Sequence, residues 1–423
     1  FVFYVTMSRA SRSGQYRFRT TLYNVIFDVM QARGWKETED DLDWDFHWAD
    51  KQWMCEVFDH VHLNDRQRVN HFRNYYELCR KDLLVKNMKR IKRALEREGK
   101  AEEASQYDFT PPSFVLPGEY GMFQEEFKRH PAAVWIMKPI ALCGGRGIFL
   151  FTKLQAISDW KRDNRFGQGD QGSVETYIVQ RYIDRPLLVG GRKFDLRIYA
   201  LVTNYSPLTL WLYRSAFCRF TQQRFSMNLK EIGDRFIHLT NVAVQKTASN
   251  YNKQTGCKWS IRKLKLFLMS KVGESAANQL FADIQSVLIR ALLAVQKVMI
   301  NDKHCFELYG YDILIDADLR VWLLEVNASS SLSAETSADY DLKYNLLQDM
   351  LNLVDIEGKR DPNSSDERMG GFDLIYKDGP VEQPPNATIS SFLGTRNDNA
   401  IPSHKIQKPQ ALTKIQTNEK ELI

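Results

Sequence analysis

Apolar residues recur at helical spacing in several stretches of this chain, and one of these stretches is strongly basic. In residues 20–34 the apolar positions fall on one helical face, and Gly34 is a suitable end for the helix. In residues 80–100 a stripe from Leu83 to Leu95 is apolar, while most other positions are Lys or Arg. The same spacing predicts further helices over residues 259–273, 275–300 and 339–355.

Shorter runs rich in β-branched and aromatic residues predict strands in the middle of the chain. Residues 193–205 and 208–214 are separated by a short turn and predict a hairpin, and so do residues 309–316 and 320–328. Helices and strands follow one another over this region, which indicates an α/β protein with lobes of the α+β kind. Further strands are predicted over residues 134–140, 147–151 and 175–183.

Changes in composition indicate where lobes begin and end. The stretch FTPPSFVLPGEY at 109–120 is expected to open a new lobe, and after residue 359 the apolar content falls. Residues 370–380 interrupt this polar tail, so they are expected to dock onto the folded part. The predicted division is a flexible leader (1–15), an N-terminal lobe (16–108), a central lobe (109–200), a C-terminal lobe (201–358) and a mostly disordered tail (359–423), in which residues 384–423 are expected to be disordered.

The composition is that of a folded protein, with 43% apolar and 26% charged residues in a chain of 423. The six cysteines are scattered without a CxxC pair, so neither a disulfide framework nor a zinc finger is expected, and a reducing compartment is. No apolar run of about 18 residues occurs, so no membrane partner is expected.

Positive charge is concentrated in one segment. The chain has 58 Lys and Arg against 52 Asp and Glu, a net charge of +6, and residues 80–100 hold nine of the cations with three acids. This predicted helix is either an ordinary solvated face or a landing surface for a polyanion. Nucleic acid is not the expected partner, because no nucleic-acid-binding motif accompanies the charge and the aromatic stretch 43–59 is acidic.

Three oxygen donors lie on the hairpin formed by YGYDILID and WLLEVN. Side chains alternate along a strand, so Glu325 and Asn327 share one face, and a short turn would set Asp312 opposite Glu325. Carboxylates are rarely buried unless they are paired or bind a metal. The pattern therefore indicates either a site for Mg²⁺ or Mn²⁺, which prefer hard oxygen ligands, or half-exposed polar positions on a sheet edge.

A glycine-rich turn follows a predicted strand that carries a lysine. Gly144, Gly145 and Gly147 let a backbone approach a ligand closely, and Lys138 on the preceding strand could reach the same ligand. The turn is not a P-loop, because no GK[ST] follows, and not a Rossmann turn, because a strand follows. It is either a flap over nucleotide phosphates or an ordinary hairpin turn.

Two further segments, GGRKFDLRIY and IHLTNVAV, place polar side chains within apolar stretches. Lys193, Asp195 and Arg197 alternate and share one strand face, which is either a binding surface for a charged ligand or a surface ladder of ion pairs. Thr240 and Asn241 either hydrogen-bond a ligand or cap a turn.

The order of these elements, from the lysine strand and glycine flap to the hairpin with its D…E-x-N pattern, resembles that of the ATP-grasp ligases. In detail the chain is similar to the tubulin-tyrosine-ligase-like family over about residues 18–380. This resemblance implies an ATP-grasp-like ligase with an N-terminal α/β lobe, a central lobe and a C-terminal lobe. It is found in the blocks HFRNYYELCRKD, WIMKP, GGRKFDLR, HLTNVAVQK, CFELYGYDILID and WLLEVNAS.

The resemblance also implies roles for individual residues. Lys138, Arg197 and Glu325 would act in the chemical step, and Arg214 and Lys258 would hold a free glutamate. Mg²⁺ or Mn²⁺ would bind to the three oxygen donors of the hairpin. The residues expected to hold ATP are Lys138, Gly144, Gly145, Gln180, Arg181, Tyr182, Ile183, Lys193, Asp195, Thr240 and Asn241, and those expected to hold the metal are Asp312, Glu325 and Asn327.

The activity implied by the resemblance is ligation of a carboxylate to an amine with ATP. A glutamate side chain in an acidic tubulin tail would be activated as an acyl phosphate, and free L-glutamate would be joined to it by an isopeptide bond. The expected partners are tubulin or microtubules and free L-glutamate, and accessory subunits could be needed as well. The chain is expected to be a monomer in the cytoplasm, at the cytoskeleton of cilia and flagella, including the axoneme and basal body.

Three departures from the family pattern keep other functions open. Gly144 replaces a polar flap residue, Ser215 and Ala216 stand where relatives often carry Asp-Gly, and Ser330 stands where Pro is usual. The alternatives are ligation of glycine or tyrosine, or a catalytically weak, ATP-binding scaffold of microtubules or cilia.

Overall fold

The computed structural model describes residues 14–140, 142, 144–157, 176–249, 251–252, 257–328, 331–361, 364–381 and 389–406. Of the predicted leader, only the last two residues lie within these ranges. The described residues form three sheets with helices between and around them, which confirms the mixed α/β class. No helix in these ranges has both the length and the apolar character needed to cross a membrane.

The first sheet is small, parallel and N-terminal. Its strands are β1 (Arg17–Thr20), β2 (Lys36–Glu37), β3 (Phe46–Trp48) and β4 (Arg68–Val69), in the order β2-β1-β3-β4. The first helix begins where the Asn24 side chain accepts a hydrogen bond from the Ile26 amide. This first helix is α1 (Val25–Ala32). It is followed by α2 (Lys51–Glu56), α3 (Tyr76–Cys79), α4 (Lys81–Arg97) and α5 (Ala101–Ser105).

The second sheet is antiparallel and carries the predicted lysine strand. Its strands are β5 (Ser113–Leu116), β6 (Trp135–Pro139), β7 (Phe149–Phe151) and β8 (Tyr177–Arg181), in the order β5-β8-β6-β7. Helix α6 (Tyr120–Arg129) covers one face, where Phe123 packs edge-on against Trp135 with ring centroids 5.1 Å apart.

The third sheet is the largest and is organised around one long strand, β10 (Arg192–Tyr205), which pairs with four others. The predicted lobe boundary at 200/201 is wrong, because it falls inside this strand, whose hydrogen bonding is continuous across that point. The other strands are β9 (Leu188–Val189), β11 (Leu208–Tyr213), β12 (Phe217–Phe220), β13 (Lys258–Ser260), β14 (Glu307–Ile315), β15 (Val321–Asn327), β16 (Arg368–Met369) and β17 (Phe372–Lys377).

Each face of this sheet is covered by its own core. Phe194, Leu196 and Ile198 point into a core that contains residues of α9 (Ile261–Val272) and α10 (Glu274–Gln296), as their alternation predicts. Tyr199 and Leu201 point the other way, towards α11 (Ser337–Val354) and the N-terminal sheet. Two one-turn helices, α7 (Arg235–His238) and α8 (Val242–Gln245), connect β12 to β13.

Residues 389–406 of the tail do not follow the prediction of disorder over residues 384–423, of which 384–388 and 407–423 lie outside the described residues. Residues 389–406, here called the strap, pass from one core to the other, with Leu393 fully buried beside α9 and Ile406 buried beside α11. Lys265 donates to the Leu393 carbonyl at 3.2 Å, and Asn345 exchanges hydrogen bonds with the Ile401 backbone. A few apolar anchors and these polar contacts order a segment whose average composition is polar.

Candidate active site

A cleft lies between the second sheet and the large sheet, and most of the predicted nucleotide residues line it. Apolar side chains such as Ile136, Ile148, Leu239 and Leu324 form part of its wall. Of the residues predicted from the sequence, the cleft is lined by Lys138, Gln180, Arg181, Tyr182, Ile183, Lys193, Asp195, Thr240, Asn241, Asp312 and Glu325. Segments far apart in sequence therefore meet at one place.

The wall formed by the second sheet is fixed by a chain of hydrogen bonds. Lys138 Nζ donates to Gln180 Oε1 at 2.8 Å, and Gln180 Nε2 donates to Ser113 Oγ at 2.9 Å. The Tyr182 amide donates to the Val134 carbonyl at 2.9 Å, which holds the segment after β8 against β6. The lysine and the predicted hinge are thus positioned by the same strands.

Lys193 is the most deeply buried cation of the cleft, with 6% of its surface exposed. Its Nζ donates to Tyr182 Oη and to the His238 carbonyl, both at 2.9 Å. Burial lowers the pKa of Lys193 to about 7 and that of Lys138 to about 8. Within the described ranges neither ammonium forms an ion pair, so the buried Lys193 and the half-buried Lys138 face the cleft without a carboxylate on either of them.

Two carboxylates on the floor of the cleft, Asp195 and Asp312, form a lattice with two arginines, Arg197 and Arg219, which are not among the residues that line the cleft. Arg197 donates to both oxygens of Asp312 at 2.5 and 3.1 Å, and Arg219 lies 2.8 Å from Asp312 Oδ2. Arg219 also donates to both oxygens of Asp195, and Thr240 Oγ1 donates to Asp195 Oδ2 at 2.7 Å. Burial raises the pKa of Asp312, but the two arginines outweigh it and hold that pKa well below its usual range.

The three predicted oxygen donors meet as the sequence predicts. Asp312 pairs directly with Glu325 across β14 and β15, and Asn327 Nδ2 lies 3.4 Å from Glu325 Oε1. Two facing carboxylates and one amide fit the hard-oxygen preference of Mg²⁺. In the described residues no group of three or more His, Cys, Asp or Glu could hold a metal, so the amide of Asn327 is needed to complete this set.

The glycine turn lies at the edge of the cleft rather than in its lining. Gly144 and Gly145 have φ of +69° and +83°, a backbone region that favours glycine. A Cβ on Gly145 would lie 2.9 Å from Val244 Cγ2 and 3.1 Å from Asn241 Oδ1, so the turn rests directly on α8. Cys143, the first residue of the predicted flap motif, lies outside the described residues.

The sequence profile of the tubulin-tyrosine ligase family matches residues 60–363, which include every residue that lines the cleft. The chain belongs to the tubulin-tyrosine ligase family. The family match therefore agrees with the resemblance drawn from the motifs, and it includes all four strands (β10, β12, β14 and β15) that hold the oxygen donors and the arginines.

Relatives within the tubulin-tyrosine ligase family resemble the chain over most of its length. It is 46% identical to the probable tubulin polyglutamylase TTLL9 of Bos taurus, over 96% of this chain and 94% of the relative. The corresponding protein of Mus musculus is 47% identical over 89% and 87%. The probable alpha-tubulin polyglutamylase Ttll1 of Tetrahymena thermophila is 44% identical over 83% and 90%.

The predicted glutamate-binding residues of this family member do not reach the cleft. Arg214 donates to both oxygens of Asp373 at 2.7 and 2.5 Å and lines a different cavity. Lys258 pairs with Arg219 in strand register, but its Nζ is bound to Asp339 at 2.6 Å and lies 3.4 Å from Glu335. The structure thus places Lys258 beside the arginine lattice and Arg214 outside it.

Three side chains at the site of this ligase-family protein were missed by the sequence analysis. Arg219 connects both carboxylates of the floor, His238 lines the cleft, and Lys81 Nζ lies 3.7 Å from Glu325 Oε2. Lys81 also donates to the Leu142 carbonyl of the glycine turn at 3.4 Å. For Arg219 a signal was available, since an arginine between aromatic residues in FCRF follows the KFDLR hairpin.

Proposed function

We propose that this chain is an ATP-dependent tubulin polyglutamylase with an ATP-grasp-like arrangement of its two larger sheets. The observation that carries the proposal is a pair of ammonium groups without an ion pair in the described residues, the buried Lys193 and the half-buried Lys138, beside the facing carboxylates Asp312 and Glu325. Cations of this kind suit the phosphates of a nucleotide. The names of the relatives, probable tubulin polyglutamylases, supply the substrate.

The cleft suggests how ATP would bind. The apolar wall of Ile136, Ile148 and Leu239 suits the adenine ring, with backbone groups of the segment after β8 at its edge. Lys138 and Lys193 would bind the phosphates as point charges. Asp312, Glu325 and Asn327 would hold Mg²⁺ or Mn²⁺, which when bound supplies neutralisation of the phosphate charge.

The proposed reaction joins a carboxylate to an amine in two steps. A carboxylate oxygen of a tubulin-tail glutamate attacks the γ-phosphorus of ATP, the bond to ADP breaks, and an acyl phosphate forms. The amine of free L-glutamate, after loss of a proton, attacks the acyl carbon, phosphate leaves, and an isopeptide bond remains. Arg197 and Arg219, both bound to Asp312, would stabilise the negative charge that moves between these oxygens.

The basic helix α4 offers a narrower landing surface for an acidic tail than its sequence indicates. Lys81 lies beside Glu325, Lys89 is paired with Glu119, and Lys92 is paired with Asp108. In the described part of the chain, the exposed cations of this helix without an ion pair are Lys86, Arg90, Arg93 and Arg97, and Arg90 donates to the Ala294 carbonyl at 3.1 Å. Charge reversal of Lys86, Arg93 and Arg97 should weaken microtubule binding at low salt and leave little difference at high salt. Equal binding at low salt would exclude α4 as the docking surface.

The test of the proposal is incorporation of labelled amino acids into microtubules with ATP. Labelled glutamate should be incorporated, and labelled glycine and tyrosine should not. Incorporation of glycine instead would favour the glycine-ligase alternative. Tight binding of ATP with no incorporation of any amino acid, also after addition of a ciliary extract that could contain accessory subunits, would favour the scaffold.

A further inference from the structure

A second cavity lies on the large sheet, away from the cleft, and includes the arginine that the sequence assigned to glutamate. Its volume is about 460 Å³, and it is open to solvent on one side. It is lined by the turn between β11 and β12, the start of α9, Leu342 of α11 and the strap. We call it the Arg214 cavity. This size lies within the range of small-ligand sites, roughly 300–1,000 Å³.

Three arginines lie in the lining of the Arg214 cavity, and one of them is without an ion pair in the described residues. The lining contains Arg214, Arg262 and Arg396, and no Asp or Glu occurs among its described residues. Asp373 neutralises Arg214, and Asp398 lies 2.9 Å from Arg396, but Arg262 has no ion pair within the described ranges. Arg262 is exposed at the amino end of the twelve-residue helix α9, where the helix dipole adds positive potential.

Strand β12 begins beside the Arg214 cavity and runs to the arginine that binds both carboxylates of the cleft. Ser215 precedes β12, and Arg219, which binds Asp312 and Asp195, lies four residues further along. Four residues of extended strand span roughly 13 Å. A peptide of four or five extended residues covers about the same distance.

We propose that the Arg214 cavity binds the carboxylates of an oligoglutamate chain whose reacting end lies at the Arg197–Arg219 lattice. This proposal rests on the proposed function and deepens it, since it assigns to the enzyme a preference for acceptors that already carry several glutamates. Arg214 then contributes to binding of the acceptor chain instead of the free amino acid, which agrees with its distance from the cleft.

Binding of a peptide without ATP tests the cavity apart from catalysis. A fluorescein-labelled pentaglutamate should bind to the wild-type chain more tightly than pentaglutamine in fluorescence anisotropy. Ser215→Asp places a negative charge in the cavity and should weaken pentaglutamate binding about tenfold or more, whereas the neutral, similarly sized Ser215→Asn should change it less than about twofold. Arg262→Gln, at an exposed position, should act like Ser215→Asp without a risk to folding.

The cavity proposal is overturned if Ser215→Asp and Arg262→Gln both bind pentaglutamate as the wild type does, or if the two peptides bind equally.

A ligation assay separates the cavity proposal from the proposed function. The wild-type KM should be lower for an acceptor with five glutamates than for one with a single glutamate, and Arg262→Gln should remove this difference with kcat on the short acceptor unchanged. Charge-dependent peptide binding without any ligation would overturn the proposed function and support the cavity; ligation without charge-dependent binding would overturn the cavity alone.

Discussion

Two buried clusters of charge in this protein are built in opposite ways. At the contact between the N-terminal sheet and β14, His71 Nδ1 lies 2.7 Å from Glu307 Oε1, and the Phe72 amide donates to Glu307 Oε2 at 3.1 Å. Both side chains are almost completely excluded from solvent. In the cleft, Lys193 is also buried but has only neutral oxygens as hydrogen-bond acceptors.

The difference separates a structural cluster from one that can bind a ligand. Glu307 has its partners within the protein, so its removal should cost stability. Lys193 retains a charge that the fold does not neutralise, so an anionic ligand can supply what is missing. Full partnering within the chain is thus a sign of a structural role, and incomplete partnering is a sign of a binding role.

The largest effect on stability is expected for Glu307→Gln. The substitution leaves the buried His71 without its carboxylate partner and should lower the free energy of unfolding by about 3 kcal/mol. Urea denaturation measures this change, with the exposed Glu103→Gln as the control. An unchanged unfolding midpoint would show that the two clusters do not differ in the way described.

The largest effect on activity is expected for Glu325→Gln. Removal of this charge, opposite Asp312, should lower the ligation rate by roughly 10²–10³-fold, because electrostatic stabilisation in the cleft is lost. The free energy of unfolding should change by less than about 0.5 kcal/mol, since Glu325 is partly exposed. Glu126→Gln on α6 is the matched control, and equal glutamate incorporation by both variants would exclude Glu325 from the site.

Lys193→Met should separate binding from stability. ATP affinity should fall about tenfold or more, because a charge-assisted contact to phosphate is lost. The free energy of unfolding should stay the same or rise, since burial disfavours the charged lysine. Isothermal titration and urea denaturation measure the two quantities, with Arg192→Met, exposed on the same strand, as the control. A loss of stability without a loss of affinity would reverse the assignment of this cluster.

The smallest expected effect is the change that Lys193 causes in the pH dependence of stability and of ATP affinity. The pKa of Lys193 is about 7 in the folded chain and 10.5 in its ordinary state, so between these values the unfolded chain holds a proton that the folded chain lacks. The contribution of Lys193 to stability therefore rises with pH over this interval, while its contribution to ATP affinity falls as its charge is lost. Comparison of wild type with Lys193→Met at about pH 6 and about pH 9 isolates both trends; identical profiles would contradict them.

The hairpin shows what can be predicted from local sequence. The alternation of side chains and the length of one turn were sufficient to place Asp312 opposite Glu325, because both depend only on neighbouring residues. Along β10 the same alternation separates Lys193, Asp195 and Arg197 from Phe194, Leu196 and Ile198, which the structure places in the core. The strand predicted over residues 193–205 already crosses the expected lobe boundary at 200/201, and the structure follows the predicted strand instead of the predicted boundary.

Arg219 shows why other site residues were missed. Its role depends on the pairing of β12 with β10, which sets it opposite Asp195. That pairing is a tertiary fact which no periodicity encodes. Arg214 was chosen instead, five residues earlier, where the guanidinium is bound to Asp373 in the tail. The tail itself was taken as disordered because its few apolar anchors, such as Leu393, are diluted by polar residues.

The position of β17 bears on how the protein should be produced. It pairs with β11 and follows the end of the family match at residue 363, as does the strap that buries Leu393 and Ile406. A fragment trimmed at residue 363 would leave β11 as an unpaired edge and uncover apolar surface on both sides of the large sheet. Such a fragment should aggregate during expression, although it retains every side chain that lines the cleft.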